Sequence, residues 1–125
     1  MRRAVIARRD AIEPDVRAAK SADVCARLVE LLGRSDPAAP RTVAVYAAMG
    51  SEVDPAAFAI AAADRGWRVA YPCMLSAADA AACSQRMCMR VVAAGDVGTA
   101  PLIAHPTRAF AAMDIDSDRF PIVPA

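Results

Sequence analysis

The sequence predicts a three-layer α/β domain with a mainly parallel central sheet, and three observations carry that expectation. The stretches "TVAVYAA" (42–48) and "WRVAYP" (67–72) are apolar on both alternating faces, as in strands covered on both sides. Between them lies a segment with helix start and stop signals. Strand, helix and strand within about 30 residues make a βαβ unit, whose crossover is right-handed and whose strands are parallel.

The elements follow in chain order. Residues 2–12 are helical in pattern, with Val5 and Ile12 two turns apart and Arg2 and Arg9 sharing a face. Pro14 punctuates. A second helix is expected from Asp15 to Leu32, where Val24, Leu28, Leu31 and Cys25, Leu28, Leu32 make one apolar stripe and Gly33 supplies the stop. "RSDPAAPR" reads as a loop before the first strand. After that strand Asp54 is placed to N-cap a helix whose first turn holds Pro55, with Phe58 and Ala62 facing inward and Gly66 closing it. An Ala-rich connection follows Pro72. "MCMRVV" then alternates Met87, Met89 and Val91 with Cys88, Arg90 and Val92, a strand with one less apolar face. "GDVGTAPLIAHPTRAF" is mostly loop. The closing "RFPIVPA" resembles a strand, although Pro121 cannot donate to a ladder and favours an edge or a bulge.

At 125 residues the chain fits one compact domain, 1–125. A net charge of +1 gives no general affinity for nucleic acid. No apolar stretch is long enough to span a bilayer, and Arg8, Arg9 and Asp10 interrupt any signal-peptide core after the opening arginines, so a cytoplasmic protein is expected. Cys25, Cys73, Cys83 and Cys88 include no CxxC pair, and the single histidine, His105, stands far along the chain; buried thiols are expected rather than a metal site or a structural disulfide.

Two features invite chemistry. Arg2, Arg3, Arg8 and Arg9 crowd the first helical turns, which suits a phosphate and equally suits a solvated face. In "VAVYAAMGSEVDPAAF" an apolar run breaks at Met49-Gly50-Ser51 and delivers Glu52 just before a helix start. By themselves Glu52 reads as an exposed loop acid, Met49 as a core side chain, and Tyr46 and Trp67 as core or pocket wall.

Taken together, the segments from Arg2 to Ala125 resemble the 5-formyltetrahydrofolate cyclo-ligase (methenyltetrahydrofolate synthetase) family. "MRRAVIARRDAI" is similar to that family's Arg-rich opening helix, with Met1 and Arg2 at its Leu-Arg pair and no Lys ahead of them. "YAAMGSEVDPAAF" resembles its Met-x-x-Glu folate motif, "GWRVAYP" its Gly-basic-x-Val-x-x-Pro strand, and "MCMRVVAAGD" its Met-bearing strand and charged turn. "IAHP" departs from the family's Ile-x-Glu-Pro or Ile-x-Gln-Pro, and His105 receives no catalytic role. The resemblance implies a sugar-phosphate isomerase/CoA transferase-like architecture.

It also implies ATP-dependent conversion of 5-formyltetrahydrofolate to 5,10-methenyltetrahydrofolate in one-carbon metabolism. ATP phosphorylates the formyl oxygen, the 10-nitrogen closes the ring and phosphate leaves. Met49 would line the substrate pocket, Glu52 would bind the folate near its reacting nitrogens, and Arg2 would hold ATP. No metal ligand is carried over, although Mg2+ accompanies ATP in the family. Where the family continues with Phe-Asp and a glycine-rich loop for ATP phosphates and magnesium, this sequence ends at Ala125. The expectation is therefore a chain corresponding to the N-terminal two-thirds of a cyclo-ligase, impaired in phosphoryl transfer because that chemistry rests on positioning and charge neutralisation. A non-catalytic remnant that binds a folate or an anion, and an unrelated sugar-phosphate isomerase-like domain, are the alternatives.

Overall fold

The computed structural model describes residues 1–34, 41–75, 77–84, 86–97 and 120–123. Helices α1 (Arg2–Asp10) and α2 (Pro14–Gly33) lead into strand β1 (Thr42–Ala44). Helix α3 (Ala56–Asp64), strand β2 (Arg68–Met74), helix α4 (Ala77–Cys83), strand β3 (Met87–Val92) and a short turn of 3-10 helix (Ala94–Asp96) follow. The chain is of mixed α/β class. Pro14 does not stand outside α2 but opens it, where its missing N–H is one that the helix would not bond anyway. Gly33 does not stop α2. It is the last helical residue, and the helix closes on Arg34 in right-handed geometry.

The described strands run in the order β1-β2-β3, with β1 parallel and β3 antiparallel to β2. They form a mixed sheet rather than the mainly parallel one expected. The reason lies between β2 and β3: α4 spans only seven residues, a short connection for the crossover that a parallel return requires. Beyond β3, Ile122 bridges Arg90 antiparallel. Val91 N–H donates to the Pro121 carbonyl at 2.8 Å, and Val123 N–H to the Met89 carbonyl at 2.9 Å. Pro121 has no N–H to return the first bond, which keeps this pairing to a single bridge. Residues 98–119, with His105 and most of the loop expected there, and the last two residues lie outside the described ones.

β1 is shorter and more open than its sequence suggests. Arg68 N–H donates to the Arg41 carbonyl, and Val45 N–H to the Ala70 carbonyl, both at 2.9 Å. The next β2 residue facing β1 is Pro72, which has no proton to give. The ladder stops and the chain leaves the sheet at Tyr46. Ala44 and Tyr46 are exposed, so β1 is not covered on both sides.

The core lies on the sheet face that carries Val69, Tyr71, Cys73 and Val92, against Phe58, Ala59, Ala62 and Ala63 of α3. α3 packs on β2 and α2 packs on α3. Full burial of a Val or Phe side chain stabilises by about 1.5–3 kcal/mol, so Val69, Val92 and Phe58 are the main anchors. On α2 the inward stripe is Ser21, Cys25, Leu28, Val29 and Leu32; Val24 and Leu31, expected in it, are exposed at 41% and 56%. The less apolar face of β3 is the buried one. Its Arg90 is 8% exposed and donates through a guanidinium nitrogen to the Phe120 carbonyl at 2.9 Å, which supplies a polar partner inside the core.

α3 ends as its sequence predicts. Gly66 takes φ +81°, its N–H donates to the Ala63 carbonyl at 3.0 Å, and Trp67 N–H donates to the Ala62 carbonyl at 3.1 Å. These two bonds form a Schellman cap, which wants a left-handed residue and therefore glycine. Trp67 packs against the core as it leaves the cap, with the Arg41 guanidinium 5.6 Å from its ring centre.

Candidate functional site at the carboxyl end of β1

After Pro72 releases β1, the chain needs a reversal to enter α3, and Met49-Gly50-Ser51-Glu52 provides it. Glu52 N–H donates to the Met49 carbonyl at 3.3 Å. Gly50 takes φ +59°, which only glycine adopts without cost at this position; Ser51, by contrast, has no positive φ. A turn with its left-handed residue first is of the II′ kind. The Glu52 carboxylate then reaches back and accepts the Met49 N–H at 3.0 Å. Part of what the Met-x-x-Glu spacing encodes is therefore local: the acid staples its own turn.

Three further bonds hold this loop in place. Ser51, 6% exposed, accepts from Arg9 Nε at 2.9 Å and donates to the Asp10 carboxylate, so the end of α1 is clasped to the turn. From α2, Ser21 accepts the Asp54 N–H at 3.1 Å, while the Cys25 thiol donates to the Asp54 carbonyl at 3.4 Å. Ser21 and Cys25 are one helical turn apart and face the same way, so α2 grips one peptide unit on each side of Asp54. The Asp54 carboxylate accepts the Ala56 N–H at 2.9 Å. It caps α3 from one residue ahead of the boundary, where Pro55 is the residue that borders the helix.

Two open hollows flank Glu52. One, of about 410 Å³, is lined by Arg17, Ser21 and Cys25 of α2 with Gly50, Glu52 and Asp54 of the loop. The other, of about 450 Å³, is lined by Arg9, Tyr46, Glu52 and Val53. Each places at least one arginine and one carboxylate around partly apolar walls. The Tyr46 hydroxyl donates to the Val53 carbonyl at 2.8 Å. Its pKa is raised, first by burial and then by the negative charges of Glu52 and Asp54, with Arg9 pulling the other way. Tyr71, beneath the loop in the core, is likewise raised by burial and then by Asp54.

Of the residues singled out from sequence, Glu52 and Met49 both lie on the turn beyond β1, but only Glu52 borders the hollows. Met49 is 43% exposed and lines neither, because the turn at Gly50 swings the chain away from it. Arg2 is exposed at the far end of α1. A rise of about 1.5 Å per residue puts it roughly 10 Å along the axis from Arg9, and it lines neither of the two hollows beside Glu52. Arg9, one of the four arginines that suit a phosphate, and Tyr46, read as core or pocket wall, both line the second hollow; Arg17 and the Ser21-Cys25 grip carry no such reading. The face shared by Arg2 and Arg9, and the spacing of Ser21 and Cys25, were the available signals. Among the described residues no group of three or more His, Cys, Asp or Glu side chains is placed to hold a metal ion. Among the same residues no helix is long and apolar enough to cross a membrane. Compared with known proteins, the chain matches no family model, no curated protein and no solved structure.

Proposed function

We propose that this chain carries the folate site of a 5-formyltetrahydrofolate cyclo-ligase-like protein and serves ATP-dependent formation of 5,10-methenyltetrahydrofolate in the cytoplasm. The observation that carries the reading is the position of Glu52, on a turn pinned from α1 and α2, beyond the carboxyl end of a parallel strand, between two hollows. Ligands of open α/β sheets gather at such strand ends. A carboxylate has about four lone-pair positions, so accepting the Met49 N–H leaves capacity for N–H groups of a reduced pterin. Arg9 and Arg17 supply positive charge toward a substrate that carries carboxylates. In the full three-layer α/β/α arrangement, a second layer covers the sheet face of Ala70 and Pro72, both of which are buried.

The placement of Arg2 favours a second reading, in which the chain binds a folate or another anion without converting it. ATP is the co-reactant only under the first reading.

Titration calorimetry of the full chain with 5-formyltetrahydrofolate tests the shared premise. Loss of one charge-assisted hydrogen bond, worth about 1.5–3 kcal/mol, makes Glu52→Gln bind at least about 10-fold more weakly. The exposed α2 variant Glu30→Gln, with the same charge change, binds as the parent does. Absence of binding, or equal affinity in Glu52→Gln, overturns the first reading and the folate form of the second. Methenyl absorbance in the presence of ATP and magnesium then separates conversion from binding alone.

A further inference from the structure

Cys73 and Cys88 occupy directly opposed positions of the β2–β3 ladder. Their side chains leave the same face of the sheet, the one that carries Val69, Tyr71 and Val92; Cys73 is 3% exposed, and Cys88, half-buried, packs against the same cluster. From these positions we infer that the two cysteines form a reversible cross-strand disulfide, a redox modification site in the sheet that stands apart from the hollows around Glu52.

The hydrogen-bond register sets how that bond would behave. Leu75 N–H donates to the Arg86 carbonyl at 3.1 Å, so 75 and 86 are a hydrogen-bonded pair. Counting by two along the ladder makes 73 and 88 another. In such pairs the Cα atoms lie about 5.5 Å apart, inside the range of about 4.4–6.8 Å that a disulfide spans. Directly opposed Cβ atoms are about 4.5–5.5 Å apart, wider than the roughly 3.8 Å a relaxed disulfide prefers. The bridge therefore closes by drawing the strands together and stores strain, and strained disulfides are the readily reduced ones. This geometry makes a switchable link rather than a permanent staple.

Access assigns the order of events. Cys88 is the more exposed sulfur and meets a peroxide first. Its thiolate takes one peroxide oxygen, giving a sulfenic acid and one water, and the Cys73 sulfur then displaces hydroxide, which leaves as a second water when protonated. The two thiols lose two electrons and the peroxide gains them. Two equivalents of glutathione reverse the change and become glutathione disulfide. Cys25 is not the expected partner, because its thiol donates to the Asp54 carbonyl at 3.4 Å, whereas Cys88 stands directly opposite Cys73 in the ladder.

The full chain is treated with equimolar hydrogen peroxide, the remaining thiols are alkylated with a maleimide, and unreduced digests are read by mass spectrometry. The expected product is a cross-linked peptide pair containing residues 73 and 88, lighter by two hydrogens than the sum, with two fewer alkylated thiols and full reversal by glutathione. Cys25→Ala forms the same link and Cys88→Ala does not. Linkage of other cysteines, further oxidation of Cys88 with Cys73 still alkylated, a link that glutathione leaves intact, or no oxidation of either sulfur overturns the inference.

Discussion

Gly33 is the last residue of α2 and Gly66 caps α3, and a Cβ on either meets nothing within 4 Å, yet alanine is expected to act in opposite directions at the two. Neither variant carries a steric term, so backbone conformation alone decides. At Gly66 the chain needs φ +81° to make the Schellman cap. A residue with a Cβ costs roughly 1–2 kcal/mol in that region, partly offset by about 0.4–1 kcal/mol from restricting the unfolded chain. The net loss is about 1 kcal/mol. Gly33 is helical, where alanine gains about 0.5–1 kcal/mol over glycine. For 125 residues, an unfolding entropy of about 2.1 cal/mol/K per residue converts 1 kcal/mol into roughly 4 °C. Calorimetric melting should show Gly66→Ala lower by about 4 °C and Gly33→Ala higher by about 2–4 °C. A neutral or stabilising Gly66→Ala, or shifts of the same sign in both, would refute the assignment of the cap to a left-handed glycine.

Two other outcomes are expected. Tyr46 and Tyr71 have raised pKa values in the folded chain, so above about pH 10 the unfolded chain gives up its phenolic protons first and stability falls as pH rises toward the folded values. Tyrosinate absorbance of the native protein should therefore appear at higher pH than in urea, and coincident curves would contradict the shifts. Arg90→Met keeps volume but removes the bond to the Phe120 carbonyl. A loss of about 1.5–3 kcal/mol is expected, together with faster hydrogen exchange at Val91 and Val123, the two donors that hold 121–123 to β3.

Local chemistry was the legible part of the sequence. The α3 boundaries, the Gly66 stop, β3 at Met87–Val92 and the inward Phe58 and Ala62 each follow from caps or period-two alternation within a few residues. What depended on partners was not legible. The length of β1 is decided on β2, the direction of β3 depends on how short α4 is, and Arg90 can turn inward because the chain supplies a carbonyl thirty residues later. The inward face of α2 is as expected at Cys25, Leu28 and Leu32 but not at Val24 and Leu31; Ser21 joins it, a polar residue whose burial makes sense only once the Asp54 peptide is beside it. At the candidate site the sequence singled out the turn and its acid but not the hollows. Arg9, Arg17 and Tyr46 come from three separate elements, and only folding brings them near Glu52.

The proline at 72 carries a consequence for how this site can vary. A strand's end is ordinarily altered by changing its own residues, but here the stopping point is written on the neighbouring strand, in the form of a proton that is not there. Any residue other than proline at 72 would offer Val45 a donor and invite Tyr46 to stay in the sheet. The loop before α3 would then have less chain with which to reach the grip of Ser21 and Cys25. The shape of the hollows is thus under the control of a buried position that lines neither of them, and substitutions there would act on the site by changing the length of the slack.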